Sequence, residues 1–185
     1  MMDDGAAAGG LTKNGEIAAI KGIGGDQLAC DATKADVVAR LRQLKKRDAK
    51  PFALMARDLD VIKRYCSVSL EEAALLTGPS APIVLLRADG AEKLPVAIAP
   101  GLAMLGFMLP TTPMHQLVLR RMSRPVVMTS GNLSDEPQVI SDDEVGDRLR
   151  GIATYALMHN REIANRIDDS VVRVVVGHTR VMRRA

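Results

Sequence analysis

Hydrophobic residues along this chain come in short runs separated by glycine, proline and charge, and their spacings predict strands and helices in mixture. The run at 16–20 ends in Lys21-Gly22-Ile23-Gly24-Gly25, which predicts a buried strand entering a flexible turn, a natural ligand edge. Over 34–46, Val37, Val38, Leu41 and Leu44 fall at helical spacing, with Arg40, Arg42, Lys45 and Lys46 at other positions, so a helix with one buried face is expected. A strand is expected at 52–55 and a short helix at 58–66. Ser69 and Glu72 have the spacing of a capping box ahead of Ala73, Ala74, Leu75 and Leu76. Strands are expected at 82–86, 96–99 and 105–109, and a helix at 113–122 with Pro113 in its first turn. The apolar run 125–128 leads into a polar turn, Thr129-Ser130-Gly131-Asn132, after which Ser141 and Glu144 repeat the capping-box spacing for one more helix. The C-terminal part predicts strands at 155–158, 171–176 and 178–182, the last two separated by a Gly-His turn. The mixture indicates an α/β domain with a twisted, open, mixed sheet and flanking helices rather than strict βαβ alternation.

Composition narrows the class. Apolar residues make up 47% and charged residues 25% of 185, which suits one globular domain with a packed core. That core is aliphatic, since the chain has two Phe, two Tyr and no Trp but ten Met, and base-stacking platforms are correspondingly scarce. A net charge of +3 fits a local phosphate site and small anionic substrates better than a dedicated duplex-binding surface. Cys30 and Cys66 stand far apart without a second pair, so neither a zinc ribbon nor a disulfide framework is indicated, and a cytoplasmic location is expected. No apolar stretch approaches the ~20 residues of a membrane span. Residues 1–12 are small, acidic and glycine-rich and are expected to be a flexible segment, with the domain over 13–185.

Three places carry candidate chemistry. Lys45-Lys46-Arg47-Asp48-Ala49-Lys50-Pro51 closes the helix expected at 34–46. Alone it reads as a solvated basic cap on a helix C-terminus; more sharply, Lys45, Arg47 and Lys50 converge on a polyphosphate. In Thr129-Ser130-Gly131-Asn132 the density of donors after an apolar strand suggests a nest for phosphate oxygens, although an ordinary turn has the same composition. Oxygen ligands there also suit magnesium. The third place, Asn165 to Arg173, contains Asp168-Asp169, which are adjacent and so point apart, and are not an acid/base dyad. His115, His159 and His178 show no metal-ligand spacing, and no metal site of the protein's own is expected. Walker, dinucleotide-binding and nucleophile-elbow motifs are absent.

In order along the chain, AIKGIGGDQLACDA, LRQLKKRDAKPFALM, LLTGPSAPIVLLR, APGLAMLGFMLPTTPMHQLVL, RPVVMTSGNLSDEP and NRIDDSVVRVV resemble the YrdC-like family, and in detail the version embedded in the HypF carbamoyltransferases of NiFe-hydrogenase maturation. The resemblance runs from Gly15 to Arg184. The TSGN turn, the later DDSVV and PTTPMH distinguish it from the threonylcarbamoyl-AMP synthases of tRNA modification, which are the main alternative.

The resemblance implies an α/β twisted open sheet with a concave basic groove. It implies ATP and magnesium as cofactors and the joining of a carbamoyl unit, derived from carbamoyl phosphate, to AMP with release of pyrophosphate. Lys45, Arg47 and Lys50 match the motif that faces the phosphates and the carbamate, and Thr129, Ser130 and Asn132 match the nucleotide-binding turn. Ser170 and Arg183 complete the groove. The partners it implies are the HypF domains that flank such a domain and a maturation protein that accepts the carbamoyl group on a thiol; this chain is read as an excised domain or a split gene product. One departure stands out: where HypF carries an aromatic-His pair after the double glycine, this chain has Asp26-Gln27. A module that binds nucleotide or double-stranded RNA without catalysis is the reading from a different class.

Overall fold

The computed structural model describes residues 15–133 and 136–184. Nine strands form one sheet among them: β1 (Ala18–Lys21), β2 (Asp26–Asp31), β3 (Ala53–Met55), β4 (Ile83–Arg87), β5 (Met104–Met108), β6 (Val126–Ser130), β7 (Tyr155–Leu157), β8 (Val171–Val175) and β9 (His178–Arg183). Their order across the sheet is β7-β1-β2-β6-β3-β5-β4-β8-β9. Three neighbouring pairs, β1 with β7, β3 with β5 and β4 with β8, run parallel, and the others run antiparallel, so the sheet is mixed as expected. The segment expected to be flexible, 1–12, lies outside the described residues.

Alternation along the strands sends side chains to two separate cores. Leu28 and Cys30 of β2 join a large cluster with Val37, Val38 and Leu41 of α1 (Ala35–Leu44), Val61 and Ile62 of α2 (Leu59–Lys63), Leu76 of α3 (Leu70–Thr77) and Leu149 of α5 (Asp142–Leu149). Ala29, between them, faces a smaller cluster in which Met55, Met108, Val126 and Met128 meet Val118 and Leu119 of α4 (Pro113–Leu119). Four helices thus cover one face of the sheet, while α4 alone covers part of the other. The uncovered part of that second face is where a ligand has room.

Local signals account for most helix ends. Asp58 caps α2 by accepting from Val61 N, the Ser69–Glu72 capping box closes in both directions, and Thr112 caps α4 ahead of Pro113. α1 ends with Lys46 in the left-handed region (φ 52°), its N–H on Gln43 O and the N–H of Arg47 on Arg42 O, which is the bond pattern of a Schellman cap without the usual glycine.

Four expectations need correction. Strand β2 was not foreseen, because Asp26–Asp31 is bordered by carboxylates and, as a strand buried on both faces, shows no alternation. Residues 96–99 do not form a strand: Pro95 starts a 3₁₀ turn over Val96–Ile98, closed by Ile98 N to Pro95 O, and only Ile98 of the three is buried. Ser141 precedes α5 without a side-chain cap. The last hairpin turns at Val176-Gly177, both at positive φ, and His178 already pairs with Val175. That two-residue turn matches the right-handed twist of the strands it joins.

Candidate functional site

The basic loop after α1 and the polar turn after β6 are 85 or so positions apart in the chain but are locked together by one side chain. Lys45 is 1% exposed, and its ammonium donates to Ser130 O (2.6 Å), Asn132 O (2.6 Å) and Asn132 Oδ1 (3.1 Å). A lysine has three N–H donors, and three oxygens of the turn face them. Burial, and then the charges of Arg47 and Lys50, pull Lys45 down to about 7, while the oxygen acceptors favour the charged form. Lys45 is therefore built into the frame of the site. Arg47 adds a second tie, Nη1 to Thr129 Oγ1 at 3.3 Å, and folds its other donors onto Lys50 O and Pro51 O.

The turn differs from the expected nest. Thr129 and Ser130 still belong to β6, paired with Leu28 and Gln27. The Gly131 N–H is already committed to Asp26 O at 2.6 Å and that of Asn132 to Ser130 O at 3.0 Å, so these amides are not free for an anion. Gly131 is needed for this approach, since a Cβ there would lie 2.7 Å from Asp26 O. The Ser130 hydroxyl donates to Asn132 Oδ1 at 2.6 Å, and the Asn132 amide donates to Glu136 O at 2.5 Å. These bonds fix the shape of the turn.

Beside this frame lie three hollows that share lining residues. An apolar floor of Ala53, Ile83, Leu85, Met104, Gly106 and Met128, on the half-covered face of the sheet, lies in a cavity of about 450 Å³ rimmed by Arg47, Lys50, Arg173 and Arg183. A second chamber, about 680 Å³, is lined by Gly24, Gly25, Gln27, His115 and Ser170 among others. A smaller hollow of about 270 Å³ is bounded by the loop Lys45 to Lys50 with Ser130 and Asn132. Ser130 borders all three.

Arg183 and the Asp168-Asp169 pair close the far side. Arg183 holds the Asp168 carboxylate from two nitrogens, at 2.9 and 3.1 Å, and donates to Asp169 O at 2.8 Å. Burial and the adjoining Asp168 push the Asp169 carboxyl up. Burial, then Arg42 and Arg183, pull Arg47 down to about 10. The Lys50 ammonium and the Arg173 guanidinium have no partner among the described residues, so they are the groove cations open to an incoming anion. All eight residues singled out in the sequence, Lys45, Arg47, Lys50, Thr129, Ser130, Asn132, Ser170 and Arg183, border these hollows or are bonded to residues that do.

The sequence marks Asp26-Gln27 and His115 without revealing their contacts, and it gives no signal for Phe52. Gln27 and His115, 88 positions apart, meet at 2.8 Å in the second chamber, and the other ring nitrogen of His115 lies 3.3 Å from Thr111 Oγ1. Burial pulls His115 down to about 4, so it is neutral at neutral pH. Asp26 alternates with Gln27 and is wholly buried near Lys21 and Asp142, and among the described residues neither of its carboxylate oxygens has a hydrogen-bond partner. Phe52, one of only two phenylalanines, has the guanidinium groups of both Arg42 (4.5 Å) and Arg47 (5.0 Å) against its ring.

The family model for Sua5, YciO and YrdC proteins, described as "Telomere recombination", matches residues 11–185. The carbamoyltransferase HypF of Rhodobacter capsulatus is 55% identical over 173 residues, which are 94% of this chain and 23% of that protein. The crystal structure of full-length HypF in its phosphate- and nucleotide-bound form superposes with a TM-score of 0.93 at 47% identity, covering 100% of this chain and 29% of that one. Sua5 of P. abyssi complexed with L-threonine shares the fold, with a TM-score of 0.83 at 18% identity over 99% of this chain and 55% of that one. This chain spans about a quarter of the length of the curated HypF relatives it matches.

Proposed function

Because the chain belongs to the Sua5/YciO/YrdC family and matches the corresponding part of HypF carbamoyltransferases, we propose that it forms a carbamoyl adenylate from ATP and a carbamate for carbamoyl transfer in NiFe-hydrogenase maturation. The observation that carries this reading is the position of Ser130 at the meeting point of an apolar groove, a polar chamber and a basic hollow. Those three surroundings suit a purine nucleoside, a small acyl group and a pyrophosphate, and the junction suits the α-phosphate that connects them.

In the proposed reaction a carbamate oxygen attacks the α-phosphorus, the new P–O bond forms as the bond to the β-phosphate bridging oxygen breaks, and pyrophosphate departs. Little proton chemistry is required, so the protein's contribution is orientation and charge compensation. Arg47 and Lys50 offset the growing charge on the departing oxygens, with Arg47 oriented by Thr129 and Phe52. Lys45 and Asn132 hold the turn that sets the position of Ser130, while Arg183 and Ser170 border the groove opposite the basic loop. Magnesium brought in on the nucleotide would supply additional neutralisation. Asp169, which lines both the groove and the chamber, and the phosphate oxygens would hold it.

Gln27 and His115 mark the chamber wall where the acyl group is placed. In the whole carbamoyltransferase the adenylate would then pass to another domain and to a thiol of a partner protein. The test is to incubate the protein with ATP and magnesium and to offer carbamate from ammonium bicarbonate, carbamoyl phosphate, or bicarbonate with L-threonine. Pyrophosphate is measured and the adenylate identified by mass spectrometry. Carbamoyl-dependent pyrophosphate with a carbamoyl-AMP mass is the expected outcome; release that requires L-threonine would assign the chain to threonylcarbamoyl-AMP synthesis instead.

A further inference from the structure

Arg42 touches no ligand hollow on the groove side, yet it organises the basic loop more extensively than any residue within it. Its Nε and Nη2 donate to Ala97 O at 3.1 and 2.6 Å. Its Nη1 faces the carbonyls of Arg47 (2.8 Å), Asp48 (3.1 Å) and Lys50 (3.2 Å). The guanidinium plane lies over Phe52 at 4.5 Å, with Arg47 against the same ring at 5.0 Å. A planar fork with five donors and a face that stacks can make this set of contacts; an ammonium on a flexible stem cannot.

The consequence lies on the other side of the loop. Within a trans peptide unit the C=O and the following N–H point in opposite directions. Drawing the carbonyls of Arg47 and Asp48 toward Arg42 therefore turns the N–H groups of Asp48 and Ala49 away from it. Among the described residues those two N–H groups have no hydrogen-bond partner. The hollow of about 270 Å³ is bounded by the loop, Ser130 and Asn132 and does not include Arg42.

We propose that Arg42 is a positioning residue for the polyphosphate: by holding the loop's carbonyls back, it presents the amides of Asp48 and Ala49, together with Lys50, to the anion. This rests on the nucleotide reading above. Without Arg42 the carbonyl dipoles would be free to rotate toward the phosphates, where they repel, and Phe52 would lose one of the two cations that fix the loop's exit.

The experiment compares wild type with Arg42→Lys, which keeps the charge and loses the fork, using three probes: ATP with magnesium, inorganic pyrophosphate, and adenosine. Arg42→Lys is expected to weaken ATP and pyrophosphate roughly tenfold and to leave adenosine unchanged, a pattern that a general loss of structure would not produce. In wild-type protein, pyrophosphate is expected to shift the amide resonances of Asp48 and Ala49, a readout independent of whether the variant folds. Equal affinities in the two proteins, an equal loss of adenosine, or silent Asp48 and Ala49 amides would overturn the role of Arg42 while leaving the nucleotide reading intact. Wild-type protein that binds neither ATP nor pyrophosphate would overturn both.

Discussion

The ammonium of Lys45 meets Asn132 twice, at the backbone carbonyl (2.6 Å) and at the side-chain amide oxygen (3.1 Å). This contact makes the basic loop and the polar turn one unit, and it separates two kinds of lysine in the same motif. Lys45 is 1% exposed and committed to the protein, whereas Lys50 is exposed and uncommitted.

Replacing Lys45 by Met keeps most of the buried stem and removes the ammonium, so the oxygens of Ser130 and Asn132 lose their donor. A destabilisation of roughly 2–3 kcal/mol is expected from those unsatisfied groups, read from the urea midpoint at constant m-value. A loss under about 0.5 kcal/mol, the range of an ordinary surface change, would mean that the lock contributes nothing.

Lys50→Ala should leave the fold intact and weaken ATP by about ten- to a hundredfold, the equivalent of one charge-assisted contact of about 1.5–3 kcal/mol. Isothermal titration gives the affinity directly. An unchanged dissociation constant would remove Lys50 from the site.

Lys46 occupies a left-handed position (φ 52°) that glycine adopts without steric cost. Lys46→Gly is expected to raise stability by about 1 kcal/mol, measured by thermal or urea unfolding. A destabilised variant would show that the exposed Lys46 side chain makes a contribution larger than its backbone strain.

Two buried groups give opposing pH dependences. Burial lowers His115 to about 4, below its unfolded value of about 6.5, so the unfolded chain binds the extra proton and stability falls as pH drops through that window. Burial raises Asp26 to about 6, with Lys21 opposing and Asp142 adding to the shift. For Asp26 the folded state binds the extra proton, and stability falls as pH rises from about 4 toward 6. The two slopes offset each other in the wild type. Asp26→Asn should expose the His115 slope, a loss of about 2 kcal/mol between about pH 7 and pH 5, and His115→Gln should expose the opposite one. Parallel pH profiles for the two variants would contradict these assignments.

The extent to which the sequence reveals this protein differs between the fold and the site. Amphipathic α1, the Ser69–Glu72 capping box and the apolar run of β6 carry their signal in neighbouring residues, and each forms close to where the sequence places it. β2 and the 3₁₀ turn at Val96–Ile98 do not, because the first is buried on both faces and the second is set by Pro95. At the site, the residue types of the basic loop and the turn are legible. Their division of labour is not, because the partners of Lys45 lie 85 and 87 positions away. Arg42 gives no motif signal at all, since its partners are backbone carbonyls that any residue would supply.

The most direct test of the central claim is the exchange of labelled pyrophosphate into ATP, which occurs only if the protein forms an adenylate reversibly. With ATP, magnesium and carbamate from ammonium bicarbonate, exchange should appear, it should require the carbamate, and Lys50→Ala should demand more ATP for the same rate. Exchange that is absent with carbamate, in a protein shown to bind ATP, would contradict the assignment of carbamoyl-adenylate chemistry to this chain.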